Sequence, residues 1–208
     1  MIFDFEQLTP MQCFEFLTAT VVPRPIALVT TRSAEGVINA APYSFFNIMG
    51  IRPAIVALTV LPGPDGRMKD TGRNIKATSE FVVNMVGEEL AEAMNTTCID
   101  CPADVEELRL ANLGTAPSMK IGPPRIEESP ASFECVLHSI VELSENQFIA
   151  IGRIVSAHIA DQYVIDGANG LFDTPAFKLI GAMHGAKWYA RTSDRFAMNR
   201  PTWVDRAK

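Results

Sequence analysis

The chain has few of the residues from which metal centres and nucleic-acid interfaces are built. Its 208 residues include four cysteines and three histidines. The cysteines form one close pair, Cys98-x-x-Cys101, whereas a structural zinc site needs four ligands. The formal charge is −6, with acidic and basic residues dispersed along the chain. Nucleic-acid binding is therefore disfavoured, because it usually needs a basic face. We predict no metal site.

Long apolar segments and the glycine motif of dinucleotide-binding folds are also missing. The longest clear apolar run, residues 54–61, is too short to cross a bilayer. The first ten residues lack the basic start and apolar core of a signal peptide. We therefore expect a cytoplasmic protein that has reduced thiols and no membrane association. The sequence has no G-x-G-x-x-G motif, so a Rossmann nucleotide site has no support.

The composition fits one globular domain. Apolar residues make up 48% of the chain and charged residues 20%, and a domain of this length needs no disulfide or metal to stabilise it. Strand-like segments alternate with few long helices, which favours a mainly β fold, an antiparallel Greek-key-like barrel with peripheral helices.

The local patterns place the individual elements. Helices are predicted over residues 9–20, 88–95 and 104–111. A further short helix is predicted to end at residue 77, with Asp70 or Thr71 as its N-cap. Strands are predicted over residues 26–31, 37–41, 54–61 and 80–86, and as a long hairpin over 132–143 and 148–160. We expect Gly152 to mark a bulge and Pro42 to end or bulge its strand.

Residues 23–47 carry the strongest functional signal. An apolar run buried on both faces is followed by a turn and a second extended segment. Tyr43, Ser44, Phe45, Phe46 and Asn47 then place a hydroxyl and an amide among three aromatic rings. This combination suits a flat ligand with polar edges.

Ordered motifs extend this signal along the chain. They are Pro23-Arg24-Pro25-Ile26-Ala27, Asn39-x-Ala41-Pro42-Tyr43-Ser44-Phe45-Phe46, Lys69-Asp70-Thr71-x-x-Asn74-Ile75 and Glu80-Phe81-Val82-Val83-Asn84. In order and spacing the set resembles the flavin reductase-like family, the FMN-binding split barrels. The resemblance covers a single domain over residues 1–208, apart from a variable C-terminal tail at about 190–208.

The resemblance implies a homodimeric FMN-binding oxidoreductase with a split β-barrel fold. It would transfer a hydride from NADH or NADPH, the small-molecule electron donor, to flavin N5. The electrons would then pass to free flavin, an oxygenase partner or a metal complex. No side-chain acid or base is required, and His184 is the one candidate helper. The alternative is a non-catalytic FMN-binding electron carrier or flavin store, and a haem- or zinc-binding split barrel is less favoured.

The residues that could hold the cofactor follow from its chemistry. A phosphate dianion needs backbone N–H groups, hydroxyls and a cation, and a helix start at Asp70 would supply free amides. With the resemblance, the cofactor-binding candidates are Arg24, Thr30, Thr31, Asn39, Ala41, Tyr43, Ser44, Phe45, Asn47, Lys69, Asp70 and Thr71. Arg24 either pairs structurally or reaches the flavin, and Asn39 and Asn47 either bind the pyrimidine edge or stabilise turns.

The remaining histidines and cysteines have simpler interpretations. His138 and His158 fall in predicted strands and are expected to be structural. His184 lies between glycines at 181 and 185, shortly before Trp188 and Tyr189, so the segment could wall a flavin or nicotinamide pocket. We interpret Cys98 and Cys101 as inert thiols, because their loop lacks the βαβ context of a redox pair.

Overall fold

The computed structural model describes residues 1–203, and all structural statements below concern these residues. The helices are α1 Pro10–Thr20, α2 Asp70–Thr78, α3 Ala91–Thr96 and α4 Glu107–Leu110. The strands of the first half are β1 Arg24–Pro25, β2 Ala27–Arg32, β3 Ile38–Tyr43, β4 Phe46–Ile51, β5 Ala54–Val60 and β6 Glu80–Met85. Those of the second half are β7 Thr115–Ala116, β8 Arg125–Ile126, β9 Ala131–Ser144, β10 Gln147–Ile159, β11 Val164–Asp166, β12 Leu171–Phe172, β13 Ile180–Ala182 and β14 Tyr189–Arg191.

One antiparallel sheet of seven strands dominates the fold, in the order β3-β2-β6-β9-β10-β5-β4. Its two edge strands, β3 and β4, are consecutive in sequence and only Ser44 and Phe45 separate them. The sheet must therefore curl until its edges approach each other. The Thr59 amide donates to the Phe45 carbonyl at 2.9 Å, which ties the junction to β5. The predicted mainly β, antiparallel architecture is confirmed.

Side chains on both faces of β2 are buried, as the apolar run predicted. Val29 packs in one core cluster with Val56, Phe81 and Phe148. Leu28, on the opposite face, packs in a second cluster that includes Met94 of α3. The first cluster fills the curled sheet, and the second attaches α3 and α4 to its outside. These helices thereby face β3 from the side opposite the barrel interior.

The helix starts differ from each other in how they are capped. Thr9 forms a capping box with Gln12 at the start of α1, where Pro10 occupies the first turn. The predicted N-cap of α2 was wrong, because the N-cap is Lys69 and no side chain caps it. Asp70 instead forms an ion pair with Arg73, and Thr71 accepts a hydrogen bond from Asn39.

The long hairpin and the position of Gly152 are confirmed. β9 and β10 pair antiparallel, with a register shift between Ile151 and Gly152. A side chain at Gly152 would overlap the Phe81 ring. The expected interruption at Pro42 was wrong, since Pro42 pairs with Leu28 and β3 continues to Tyr43. β3 is an edge strand, where the missing amide of proline is tolerated.

The smaller elements differ from their predictions in extent. Residues 88–95 form a 3-10 turn, Glu88–Leu90, followed by α3, and the predicted helix over 104–111 is reduced to α4. The strand β4 was not predicted. No helix among residues 1–203 is long and apolar enough to span a membrane.

Candidate functional site

A cavity of about 670 Å³ lies where β3, the loop before α2 and the loop after α3 meet. Eight of the sequence-predicted cofactor residues line it, namely Asn39, Ala41, Tyr43, Ser44, Phe45, Lys69, Asp70 and Thr71. The curl of the sheet brings them together, because β3 continues through Ser44 and Phe45 beside the start of α2. The remaining predicted residues lie outside the cavity lining.

A buried chain of hydrogen bonds fixes the floor of the cavity. The Asn39 amide donates to Thr71 Oγ1 at 2.8 Å and approaches Thr31 Oγ1 at 3.4 Å. Asn74 in α2 donates to the same Thr31 hydroxyl at 3.0 Å. Thr31 therefore lies behind the cavity lining and does not line it. Its hydroxyl connects β2 to α2 through Asn74 and helps to position Asn39, which in turn donates to Thr71.

The start of α2 presents polar groups to the cavity. Because no side chain caps this helix, its first-turn amide groups have no intrahelical acceptor and remain available. Gly72 allows the close approach of this turn to the sheet, since a Cβ there would lie 2.9 Å from Val60. Lys69 Nζ lies 3.3 Å from Asp100 Oδ1, on the loop after α3.

Tyr43 places an unsatisfied polar atom in the cavity wall. Its phenol oxygen is buried and has no hydrogen-bond partner of normal geometry. Burial is the main reason that its pKa rises to about 12, with smaller contributions from the negative charges of Asp70 and Glu107. The nearby Thr71 side chain lowers the pKa by less than burial raises it. Tyr43 is therefore a neutral phenol whose hydroxyl can still form a hydrogen bond with a ligand.

Glu107 and Cys101 also line the cavity. The Glu107 carboxylate accepts the Ala40 amide at 3.0 Å and the Cys101 thiol at 3.5 Å. Burial raises the Glu107 pKa, against the lowering effect of these hydrogen bonds. Burial also raises the Cys101 pKa to about 11, and the Glu107 charge adds to this rise. The thiol is thus protonated at neutral pH.

Besides Thr31, four predicted residues lie away from the cavity lining. Thr30 Oγ1 donates to the Pro124 carbonyl at 2.5 Å, inside the core. Asn47 is exposed and accepts the Ile48 amide at 2.8 Å. Arg24 donates to the carbonyls of Thr18, Val21 and Met183 at 2.9, 2.8 and 2.6 Å. Arg24 also approaches Ser44 Oγ at 3.4 Å, so it holds the end of α1 against β13 and supports the cavity indirectly.

His184, the fourth of these residues, lies on an exposed loop. Its ring stacks on Trp188, with centroids 5.7 Å apart. Burial, with a smaller contribution from the Cys98 charge, raises the pKa of Tyr189 at the end of this loop. Cys98 and Cys101 both carry free thiols. No group of three or more potential metal ligands occurs among residues 1–203.

The two histidines that the sequence placed in strands differ in surroundings. His158 Nε2 lies 2.5 Å from an oxygen of the fully buried Glu134, a contact of the kind that the structural interpretation expects. His138 is bonded only to its neighbour, Ser139 Oγ, among the described residues, at 3.3 Å.

Sequence reasoning missed several residues of the cavity wall, including Phe14, Arg67, Arg73, Cys98 and Glu107. Phe14 had the pattern of an ordinary apolar helix residue, and it reaches the cavity because α1 packs beside Phe45. Glu107 has an adjacent glutamate at 106, and no local signal tells which of the two faces inward. These assignments depend on tertiary packing.

Comparison with known proteins identifies the family. The model of the flavin reductase like domain matches residues 19–171. The structure of the 2-nitrobenzoate 2-nitroreductase NbaA from Pseudomonas fluorescens is 35% identical in sequence, with a TM-score of 0.88 and 98% of each chain covered. Nitrilotriacetate monooxygenase component B from Bacillus cereus is 31% identical, with a TM-score of 0.87, over 95% of this chain and 98% of that one.

A third structure, a split-barrel protein from Shewanella frigidimarina NCIMB 400, is 22% identical. Its TM-score is 0.81 over 97% of this chain and all of that one, a likeness that shows the fold alone. The predicted split barrel is thus confirmed, and the chain belongs to the flavin reductase-like family.

Proposed function

We propose that this protein is an NADH- or NADPH-dependent oxidoreductase that binds FMN in the cavity beside α2. The observation that carries the proposal is the convergence of Ser44, Lys69, Thr71 and the uncapped start of α2 on one cavity. Hydroxyls, a cation and open amides together are what a phosphate group requires. The unsatisfied Tyr43 phenol beside them offers a further bond to a polar ligand.

The phosphate chemistry favours FMN over FAD. Ser44, Lys69 and Thr71 can saturate one terminal phosphate, whereas the diphosphate of FAD continues into an adenosine that these groups do not contact. Arg67 and Arg73 also line the cavity, but each already faces an aspartate, Asp65 and Asp70 respectively. Lys69, whose partner Asp100 is exposed, is the cation that can most readily turn to the phosphate.

FMN, when bound, supplies the reactive N5 position at which electrons are exchanged with a nicotinamide. The protein's part is to hold and orient the ring and to exclude water. Phe14 and Phe45 pack on each other at 6.2 Å between ring centroids and give the cavity an apolar side. The exposed loop with His184, Trp188 and Tyr189 is the proposed second side, where a nicotinamide would enter.

Partners and organisation complete the proposal. The similarity to a monooxygenase component B supports an oxygenase partner as one electron acceptor. The similarity to a nitroreductase supports direct reduction of a small molecule as another. We propose a single cytoplasmic domain that works as a homodimer. The tail expected at 190–208 falls partly on residues 204–208, which lie outside the described residues.

Anaerobic mixing with NADH or NADPH tests the proposed activity. The FMN-loaded protein should lose its oxidised flavin absorbance on mixing and regain it when an electron acceptor is added, over repeated cycles. Dithionite serves as the control for a reducible flavin. If dithionite reduces the bound flavin but neither nicotinamide does, the reductase proposal fails and the electron-carrier alternative is favoured.

Titration of the apoprotein tests the cofactor, independently of turnover. FMN and FAD are added separately to the cofactor-free protein while the quenching of flavin fluorescence is followed. We expect tighter binding of FMN, and equal or tighter binding of FAD would contradict the single-phosphate site. Sedimentation of the loaded protein tests the homodimer, and a monomer at all concentrations would contradict it.

A further inference from the structure

An exposed arm follows β14 at the C-terminal end of the described chain. We call residues 193–203 the C-terminal arm, and every one of them is exposed. Phe196 is 87% exposed, Met198 80% and Trp203 83%. No hydrogen bond or ring contact joins residues 195–200 to the rest of residues 1–203. Three large apolar side chains in water on an extended segment are unfavourable, which points to a partner surface.

The sequence of the arm has the period of a β-strand. Over residues 195–200, RFAMNR, Phe196 and Met198 are two positions apart and thus share one face of an extended chain. Arg195, Ala197 and Asn199 share the other face. Pro201 follows, and its missing amide ends the stretch that could pair with another strand. Residues 195–200 are therefore patterned as a short strand, and they pair with no strand among residues 1–203.

The edge of β4 that faces away from β5 also has no pairing strand. β4 pairs with β5 on one side, and its other side pairs with no strand among residues 1–203. Ile48, Met49 and Ile51 are 66%, 64% and 87% exposed. An apolar edge strand with unpaired backbone groups invites the addition of another strand, and stable proteins cover such an edge. We call this surface the β4 edge.

We propose that residues 195–200 of one copy add as a strand to the β4 edge of a second copy. Phe196 and Met198 would then pack against the exposed apolar side chains of β4, among them Met49, which stands in a β-bulge between Ile48 and Gly50, and Ile51. Each segment is six residues long, so one arm covers the whole of β4. The pairing satisfies open backbone groups on both segments, which is the general mode of recognition by strand addition.

The occupant is a second copy for two reasons. Within one chain the arm and the β4 edge are both exposed, so they do not contact each other. One chain also carries one arm and one edge, and reciprocal exchange between two copies satisfies both and closes as a two-fold dimer. The inference rests on the proposed homodimer and specifies its contact. Because β4 directly follows Ser44 and Phe45 of the cavity, the partner's arm would brace the strand that leaves the cofactor site.

Sedimentation velocity of matched variants tests the contact. The arm variant carries Phe196→Ser and Met198→Ser, and the edge variant carries Met49→Lys and Ile51→Lys. Both should become monomers at concentrations where the natural protein is a dimer, with unchanged circular dichroism. Met119→Ser, which removes a side chain that is 77% exposed elsewhere, should remain a dimer. If the arm and edge variants both stay dimeric, the strand addition is overturned while the homodimer stands. A natural protein that is monomeric overturns both.

A tryptophan introduced by Phe196→Trp reports whether the contact is made between copies. The chain has two tryptophans, so Trp188→Phe and Trp203→Phe leave the introduced side chain as the only one. Its acrylamide quenching should be weak in the dimer and strong when the edge substitutions are added. An arm variant that also carries Trp188→Phe and Trp203→Phe is then mixed with this edge variant. Only the edge variant's arm and the arm variant's edge are intact, so the proposal requires that the introduced tryptophan regain protection on mixing. Quenching that does not change on mixing contradicts it.

Discussion

Lys69 and Asp100 face each other across the mouth of the cavity, with Nζ and Oδ1 3.3 Å apart. Lys69 belongs to the start of α2, and Asp100 belongs to the loop after α3, between Cys98 and Cys101. Both side chains are partly exposed, and ion pairs of this kind contribute about 0.2–1 kcal/mol. A bound phosphate would contribute more, so the pair can open and Lys69 can turn to the ligand.

Replacement of Lys69 by alanine should weaken FMN binding about tenfold or more, since a charge-assisted hydrogen bond contributes roughly 1.5–3 kcal/mol. Titration of the cofactor-free variant gives the dissociation constant. Lys178→Ala is the matched control, because Lys178 has an exposed glutamate partner, Glu89, away from the cavity. An FMN affinity that is unchanged in Lys69→Ala would remove this lysine from the site.

Asp100→Asn should act in the opposite direction. It releases Lys69 from its present partner, so FMN should bind roughly 1.4- to 5-fold more tightly, the range that corresponds to an exposed ion pair. The gain should shrink as salt is added, because salt screens exposed charges. Asp104→Asn, an exposed aspartate of the same loop, should have no effect. Weaker binding in Asp100→Asn would show that Asp100 supports the ligand instead of competing for Lys69.

Tyr43→Phe should separate stability from binding. In the cofactor-free protein the buried phenol has no partner, so its removal should leave the free energy of unfolding unchanged or raise it. If the flavin satisfies the phenol, FMN affinity should fall by about 2- to 13-fold, which corresponds to one hydrogen bond of roughly 0.5–1.5 kcal/mol. Because the pKa of Tyr43 is raised to about 12, wild-type affinity should not titrate with this group between pH 8 and about 10. Urea denaturation and flavin titration give the two readouts, and a loss of stability without a loss of affinity would contradict the role.

The sequence predicted the sheet well because its signals are local. The run that includes Leu28 and Val29 and the hairpin around residues 144–147 are specified by composition and turn residues. The cavity residues Asn39, Lys69 and Thr71 were found through motif order, which reflects the shared fold. The sequence did not show which side chains of β2 face the cavity. Thr30 and Thr31 are adjacent on a strand that is buried on both faces, so no pattern of polar and apolar residues marks one face as the ligand side.

The residues missed by the sequence analysis share another cause. Glu107 and Phe14 reach the cavity through the docking of α4 and α1, and docking depends on contacts between segments far apart in the chain. Arg24 illustrates the same limit, because its guanidinium donates to the carbonyls of Thr18 in α1, of Val21 after α1 and of Met183 after β13. No pattern within residues 23–25 indicates those acceptors.

Glu134→Gln should destabilise the protein, most strongly at neutral pH. Burial alone would raise the Glu134 pKa, but hydrogen bonds from the Met119 amide, from His158 and from the Lys120 amide outweigh it, so the pKa is lowered. The Met119 and Lys120 amide nitrogens each lie 2.7 Å from one of its oxygens. In the variant the glutamine NH₂ group would face one of these N–H donors, which should lower the free energy of unfolding by about 1–3 kcal/mol.

The pH dependence follows from the direction of that shift. A group whose folded pKa is depressed stabilises the fold above its unfolded pKa, ordinarily 4.5, and loses this contribution as the pH falls through the folded value. The difference in unfolding free energy between the wild type and Glu134→Gln should therefore narrow below pH 4.5. Urea denaturation over a pH series measures it, and a constant difference would contradict the proposed coupling.

Glu107→Gln should have the reverse effect, because burial raises the pKa of Glu107 above its ordinary 4.5. An acid whose folded pKa is raised binds its proton more tightly in the native state, so its ionised form costs stability above the folded pKa. The glutamine oxygen can still accept the Ala40 amide, now at 3.0 Å from the carboxylate. The variant should be more stable than the wild type at neutral pH. This difference should vanish below pH 4.5, where Glu107 of the wild type is protonated in both the folded and the unfolded state.

Glu92→Gln, which replaces an exposed glutamate of α3, is the control that should not change stability. A Glu107→Gln variant that is less stable than the wild type at neutral pH would contradict this prediction. It would mean that contacts which an amide cannot replace stabilise the ionised carboxylate. The cavity wall would then carry a negative charge close to any phosphate ligand.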